Sequence, residues 1–148
     1  MPKHAKILII AVILFITAIS LCTFSRKSEI STVIVGGKEF VVDLANTDAK
    51  REKGLSGSSP LDENSGMLFV FDKPGNYGFW MKDMLYPIDI IWIGSDMKVT
   101  GIEKSLSPNT YPTTFSPGTS SLYVLEVASG QSQTLGLEIG DSVKFLGF

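Results

Sequence analysis

The chain has one cysteine and one histidine, and each shortage removes a class of chemistry. Cys22 is the single cysteine, so a disulfide within one copy of the chain and a cysteine-ligated metal cluster are both excluded. His4, the single histidine, lies in a short basic leader. The rest of the chain therefore has no His-based catalytic triad, no His-ligated zinc and no histidine general base. We expect a domain that is stabilised by its hydrophobic core and holds no metal or cofactor.

Positive charge is scarce beyond the N-terminus. Residues 1–27 carry four Lys or Arg and no acid, whereas residues 28–148 carry nine basic and fifteen acidic residues, a net charge of −6. No basic run appears in that second part. We therefore expect no nucleic-acid partner, because nucleic-acid binding depends on clustered Lys and Arg side chains.

A long charge-free run lies near the N-terminus, at residues 7–24. As a helix it would be about 27 Å long, close to the ~30 Å hydrocarbon core of a bilayer. It predicts an N-terminal hydrophobic helix, which is either a retained signal anchor or a cleaved signal peptide. We assign residues 1–27 to this leader, 28–32 to a linker and 33–148 to an exported domain. The anchor gives a single-pass membrane protein with an extracytoplasmic C-terminal domain, and cleavage gives a secreted one.

Beyond the leader, short apolar runs alternate with turn residues. Val33-Ile34-Val35 and Phe40-Val41-Val42 flank Gly36-Gly37, which predicts a β-hairpin because its turn needs positive φ angles. Asn46-Thr47-Asp48 offers N-cap chemistry for a short predicted helix over residues 49–53, and Gly54 fits its end. Further strands are expected at 67–71, 77–84, 87–93, 97–103, 122–128 and 143–146. The chain is therefore predicted to be mainly β, a single compact sandwich or barrel-like domain of about eight short strands with one or two short helices.

Residues 79–93, Phe-Trp-Met-Lys-Asp-Met-Leu-Tyr-Pro-Ile-Asp-Ile-Ile-Trp-Ile, combine apolar residues with isolated charges. Asp89 alternates onto the face of Ile91 and Ile93, so a buried Asp89 would need a cation or several N–H donors. Lys82 is the nearest candidate cation in the sequence. An ion pair between the two and a ligand site lined by both remain open alternatives.

Carboxylates and aromatic residues supply the remaining candidates for a site. Glu126 lies within an apolar run and shares a face with Val124. Asp89, Glu126 and Asp83 are the candidate catalytic residues, since two converging carboxylates can act as an acid and base pair. Exposed aromatic rings stack on sugars or bind partner proteins. The candidate ligand-binding residues are Trp80, Lys82, Tyr86, Asp89 and Tyr111.

Several blocks of the sequence resemble Domain of Unknown Function 192, also called uncharacterised protein family 0127. The most specific blocks are Gly66-Met67-Leu68-Phe69, Phe79-Trp80-Met81-Lys82 and Tyr123-Val124-Leu125-Glu126-Val127, in this order and spacing. The resemblance covers roughly residues 33–147 and implies one compact, sandwich-like β domain, often behind an export signal. It implies no activity. Ser56 and Ser58 stand where many members have Met and Arg, and Asp83 stands where many have Asn.

These observations favour a membrane-tethered domain that faces the cell envelope and binds a cell-wall glycan or a partner protein. The absence of a catalytic histidine or cysteine from this domain makes an enzyme the less favoured class. Two alternatives remain. The first is a carboxylate-based hydrolase that uses Asp89 with Glu126 or Asp83. The second is a scaffold without a small ligand, which burial of both tryptophans would favour.

Overall fold

The computed structural model describes residues 31–147, and the predicted hydrophobic helix and most of the linker lie outside them. The described residues are mainly β, as predicted. They form nine strands: β1 (Ser31–Val35), β2 (Lys38–Ala45), β3 (Ser65–Gly75), β4 (Phe79–Trp80), β5 (Ile88–Ile93), β6 (Val99–Leu106), β7 (Thr114–Phe115), β8 (Ser121–Ala128) and β9 (Val143–Leu146). The helical elements are α1 (Asp48–Lys53), the 3-10 turn η1 (Pro108–Thr110) and α2 (Gln131–Thr134). No helix within residues 31–147 has the length and apolar character that crossing a membrane requires.

Seven strands form one sheet in the order β6-β5-β8-β3-β2-β1-β9, and β4 pairs with β7 in a small second sheet. All neighbours in the large sheet are antiparallel except β2 and β3, which are parallel. The predicted hairpin is confirmed: β1 pairs with β2 around Gly36 and Gly37, whose φ angles are 59° and 77°. Positive φ at both positions is the requirement of a type I′ turn.

The large sheet curls, and its two edges meet at one end. The amide N of Val99 donates to the carbonyl O of Asp141 at 2.9 Å, and the amide N of Val143 donates to the carbonyl O of Met97 at 2.8 Å. Lys98 and Ser142 form an antiparallel bridge between these hydrogen bonds. The domain is therefore a curled half-barrel, accompanied by the small sheet of β4 and β7.

Both faces of the central strands are buried. Each of the six residues of β5 is buried, because this strand has a hydrophobic cluster on either side. The inner cluster fills the curl of the sheet and contains Val33, Val35, Phe40, Val42, Leu68, Ile91, Ile93, Val99, Leu125, Val127, Leu137 and Val143. The outer cluster contains Ala45, Leu55, Phe69, Met81, Met84, Tyr86, Ile88, Ile90, Trp92, Leu106 and Val124. The segment between β4 and β5 covers the outer face.

That covering segment differs from the prediction of a strand over residues 77–84. The strand β4 ends at Trp80. The amide N of Met84 then donates to the carbonyl O of Met81 at 3.3 Å, and Asp83 has a φ of 55°. A residue in the left-handed region cannot continue a strand. The chain instead turns, so the expected alternation of Met81 and Asp83 on one face does not occur.

Candidate functional site

Asp89 is fully buried on the inner face, and its carboxylate is saturated with hydrogen bonds. Its Oδ1 accepts from the amide N of Ser105 at 2.8 Å and of Gly130 at 3.0 Å. Its Oδ2 accepts from the amide N of Ser132 at 2.8 Å and from Ser132 Oγ at 2.6 Å. Four donors compensate the cost of burying this charge. Asp89 therefore ties β5 to the end of β6 and to the first turn of α2.

The structure does not bring Lys82 to Asp89. Lys82 is exposed, and its Nζ lies 5.9 Å from the ring centroid of Trp80. Among the described residues, the ion pair that the structure shows joins Arg51 to Asp48. The pairing of Lys82 with Asp89 is therefore wrong, because backbone donors satisfy the carboxylate instead.

Glu126 lies on the opposite face of the sheet from Asp89. In the register of β5 against β8, Asp89 faces Val127 and Ile90 faces Glu126. Side chains of successive residues in a strand point to opposite faces. The sheet therefore separates the two carboxylates, and they cannot share a substrate as an acid and base pair.

Glu126 is 5% exposed, and its Oε2 has no hydrogen-bond partner among the described residues. Desolvation by burial raises the pKa of Glu126 to about 8. Its neighbours across the strands, Met67 and Ile90, are apolar. An unsatisfied buried polar atom is rare in a folded protein and is costly, which makes this carboxyl group the most unusual one in the described part of the chain.

Glu126 lines a cavity of about 170 Å³ on the outer face. The end of α1, strand β3, the residues around β4 and the residue Met84 supply the walls. Five of the fourteen lining residues are aromatic, and five others have charged or hydroxyl side chains. The lining residues are Arg51, Glu52, Lys53, Gly54, Leu55, Ser56, Phe69, Phe71, Tyr77, Gly78, Phe79, Trp80, Met84 and Glu126.

A close backbone approach fixes the position of Glu126. Gly66 of β3 lies beside it, and a Cβ atom at Gly66 would be 2.7 Å from the carbonyl O of Glu126. Any side chain at this position would push the two strands apart. The glycine that begins the Gly-Met-Leu-Phe block therefore has a packing reason, and it sets where the Glu126 side chain enters the cavity.

Arg51 lines the cavity, but its guanidinium is already engaged. Nη1 donates to the carbonyl O of Val70 at 2.6 Å, and Nη2 donates to Asp48 Oδ1 at 2.6 Å. The same group lies 5.5 Å from the ring centroid of Phe71, which stacks on Tyr77 at 3.5 Å. Arg51 therefore holds the wall in place and leaves Glu126 without a counter-ion.

Three of the predicted binding residues converge on the surface next to the cavity. Trp80 and Tyr111 are 52% and 45% exposed, and their rings meet edge to face at 5.8 Å between centroids. Lys82 lies beside Trp80. We call Trp80, Lys82 and Tyr111 the aromatic patch. Trp80 belongs both to this patch and to the cavity lining, so the two are continuous.

Tyr86 and Asp83 have structural contacts instead of a place in the cavity. Tyr86 is 8% exposed, and its hydroxyl lies 2.7 Å from Ser58 Oγ in a hydrogen bond. The carbonyl O of Asp83 accepts from the amide N of Gly57 at 2.9 Å. Ser56 Oγ donates to the carbonyl O of Lys82 at 2.9 Å. These bonds fasten the loop after α1 onto the turn after β4.

Residues 31–145 match the model of the DUF192 family, described as "Uncharacterized ACR". The chain belongs to this family. A UPF0127 protein of Thermococcus gammatolerans is 32% identical over 106 residues, which are 70% of this chain and 65% of that protein. The chain thus spans less than two thirds of the length of this curated relative.

Two crystal structures of other proteins are similar to this structure. A protein of unknown function from Novosphingobium aromaticivorans is 34% identical, with a TM-score of 0.71, and the match covers 77% of this chain and 82% of that one. A candidate transcription regulator from Sinorhizobium meliloti 1021 is 27% identical, with a TM-score of 0.72, and the match covers 80% of this chain and 93% of that one. These likenesses agree with the family resemblance expected from the sequence, and they assign no activity to this chain.

The sequence identified Glu126 and Trp80 but missed the other walls of the cavity. The sequence pattern predicts Arg51 as a surface residue of a short helix, and Phe69 and Phe71 as core residues of a strand. The alternation of Phe69 and Phe71 with Leu68 and Val70 puts these two rings on one face of β3. The register of β3 against β8, in which Met67 faces Glu126, is what brings that face to Glu126. No cluster of three or more potential metal ligands occurs within residues 31–147.

Proposed function

We propose that this protein is a binding module that faces the cell envelope and takes a wall glycan on the aromatic patch. The observation that carries the proposal is the pair of half-exposed rings, Trp80 and Tyr111, at the mouth of a cavity. Exposed aromatic rings present flat apolar faces on which sugar rings stack, and Trp and Tyr dominate binding energies in many interfaces. Lys82 adds a hydrogen-bond donor, with Nζ 5.9 Å from the centroid of the Trp80 ring.

Attachment to the membrane belongs to this proposal. The support is the apolar run at residues 7–24 and its basic flank, both of which are features of the sequence. A tethered domain is held close to the wall, which raises the effective concentration of a wall polymer at the aromatic patch. Recovery of the full-length protein in the membrane fraction, with residues 31–147 digested by protease added from outside the membrane, would support the anchor. Recovery of a shortened protein in the medium would support cleavage.

A titration of the protein with N-acetylglucosamine oligomers, followed by calorimetry, tests the glycan proposal. Trp80→Ala and Tyr111→Ala should each weaken binding at least about thirtyfold, the loss expected at a hot-spot aromatic residue. Ile139→Ala is a matched control, because Ile139 is apolar and 71% exposed but lies outside the patch. Equal affinities of the Trp80→Ala variant and the wild-type protein would contradict the proposal. If neither the wild-type protein nor Trp80→Ala binds glycan, and a partner protein binds the wild-type protein but not Trp80→Ala, the aromatic patch is assigned to a protein ligand.

A hydrolase is a second candidate, and Glu126 is the observation that favours it. A buried carboxyl group with a pKa of about 8 is protonated at neutral pH and can serve as a general acid. Asp89 cannot be its partner, because it lies on the other face and is saturated. Release of reducing ends from the same oligomers, abolished by Glu126→Gln, would establish hydrolysis. Binding without release would leave the binding module.

A further inference from the structure

Two carboxylates are buried within residues 31–147, and they differ in how they are satisfied. Asp89 accepts four hydrogen bonds, whereas Glu126 Oε2 accepts none. Both side chains are more than nine-tenths buried. Because burial of a carboxyl group without a hydrogen-bond partner is costly, a ligand that supplies a donor or a positive charge to Glu126 would remove that cost.

The charged and titratable groups around the cavity leave Glu126 available. Arg51 is bound to Asp48 and to a backbone carbonyl. Glu52 and Lys53 are exposed at the rim, and the Tyr77 hydroxyl donates to the carbonyl O of Lys73 at 2.6 Å. The residues opposite Glu126 on β3 and β5 carry no charge. No ion pair with Glu126 therefore forms within the described part of the chain.

Aromatic walls make the cavity favourable for a cation. Phe69, Phe79 and Trp80 line it, and Phe69 meets Phe79 edge to face at 4.8 Å. Ring faces attract cations within about 6 Å of the centroid. The aromatic patch already shows this behaviour, since Lys82 Nζ lies 5.9 Å from the Trp80 ring.

We propose that the cavity binds the ammonium group of a short aminoalkyl chain, with the Glu126 carboxylate as its counter-ion. The volume of about 170 Å³ is below the roughly 300 Å³ at which complete ligand pockets begin, so the cavity admits one substituent of a larger molecule. The rest of the ligand lies on the aromatic patch. This inference rests on the proposed function and names the group that anchors the ligand.

Proton linkage gives the proposal a signature. Burial raises the pKa of Glu126 to about 8, so the free protein holds this group protonated at pH 6. An alkylamine stays protonated up to about pH 10, like a lysine side chain. Because the ion pair needs the ionised carboxylate, amine affinity should rise up to about tenfold per pH unit from pH 6 to 8 and level off above pH 8.

The test compares n-butylamine with n-butanol, which has the same carbon chain and no charge. The full-length protein, kept in detergent because of residues 7–24, is titrated at pH 6, 7 and 8, and tryptophan emission is followed. Trp80 lines the cavity and supplies the signal, whereas Trp92 is fully buried and lies outside the lining. We expect the amine to bind at least tenfold more tightly than the alcohol at pH 8, with the pH trend given above.

Glu126→Gln should remove both the amine preference and its pH dependence. Glu39→Gln is the matched control, because Glu39 is an exposed carboxylate outside the cavity lining, and it should leave both unchanged. Equal binding of amine and alcohol, a preference that survives Glu126→Gln, or no binding of either probe would overturn the inference. The pH series on the wild-type protein decides the matter even when the variant fails to fold.

Failure of this inference is separable from failure of the proposed function. Tyr111 lies on the aromatic patch and outside the cavity lining. Tyr111→Ala should therefore weaken binding of the glycan oligomers and leave n-butylamine binding unchanged. Glycan binding without a preference for the amine over the alcohol would refute the ammonium site at Glu126 and would leave the proposed glycan-binding function standing.

Discussion

Replacement of Asp89 by asparagine tests the structural role that its four hydrogen bonds assign to it. In Asp89→Asn, one oxygen becomes an NH2 group that faces donors. Ser132 Oγ can turn and accept from the amide, but the amide N of Ser132 then loses its acceptor at a fully buried site. An unsatisfied buried donor costs about 1–3 kcal/mol, and loss of the charge weakens the remaining bonds. We expect the free energy of unfolding to fall by about 3 kcal/mol.

Urea unfolding of Asp89→Asn, Lys82→Met and the double variant measures this directly. Lys82 is exposed and makes no ion pair with Asp89, so Lys82→Met should change stability by less than about 0.5 kcal/mol. The two effects should add within about 0.5 kcal/mol, as for separated sites. A coupling energy above about 1 kcal/mol would restore the ion pair and refute the placement of Asp89. A loss below about 0.5 kcal/mol for Asp89→Asn would refute its structural role.

Three further predictions concern stability. The pKa of Glu126 is about 8 in the folded protein and 4.5 ordinarily, so the folded state holds more protons than the unfolded state between pH 4.5 and 8. The free energy of unfolding should therefore fall as pH rises through that window, by on the order of 1 kcal/mol per pH unit. Glu126→Gln should flatten that slope in urea titrations at pH 5, 6.5 and 8. Gly66→Ala should cost about 1–3 kcal/mol in thermal melts, since its Cβ would lie 2.7 Å from a backbone oxygen. Asp83→Asn should leave the melting temperature within a few degrees, whereas Asp83→Val should lower it, because φ is 55° there.

The local parts of the fold could be predicted from the sequence. The Gly36-Gly37 hairpin and the helix from Thr47 to Gly54 depend on turn and capping chemistry that neighbouring residues carry, and the structure confirms both. The strand expected over residues 77–84 is confirmed only at Phe79–Trp80. Asp83, within the predicted range, has a left-handed backbone conformation and turns the chain there. The β-like composition of the segment does not reveal that turn.

The candidate site depends on contacts between residues that are far apart in the sequence. Alternation correctly put Asp89 with Ile91 and Glu126 with Val124. It could not show that the register of β5 on β8 separates these two acids. The donors to Asp89 are mainly backbone N–H groups, which every residue except proline has, so no residue type signals them. Exposure of the Trp80 ring likewise depends on β4 pairing with β7, a contact between short strands far apart in the sequence.

The two buried acids show why burial alone does not mark a functional residue. Asp89 and Glu126 lie in neighbouring strands among apolar residues, and both are buried, so neither sequence composition nor exposure distinguishes them. What separates them is the supply of donors. The inner face brings Asp89 four donors from α2 and the end of β6, whereas the outer face offers Glu126 apolar neighbours and a cavity. A fold that only needed to be stable would gain by replacing Glu126 with leucine, since burial of an unpaired carboxyl is unfavourable. A more stable Glu126→Leu variant that no longer binds n-butylamine would show that this position trades stability for binding. A less stable one would mean that Glu126 has a partner in the fold.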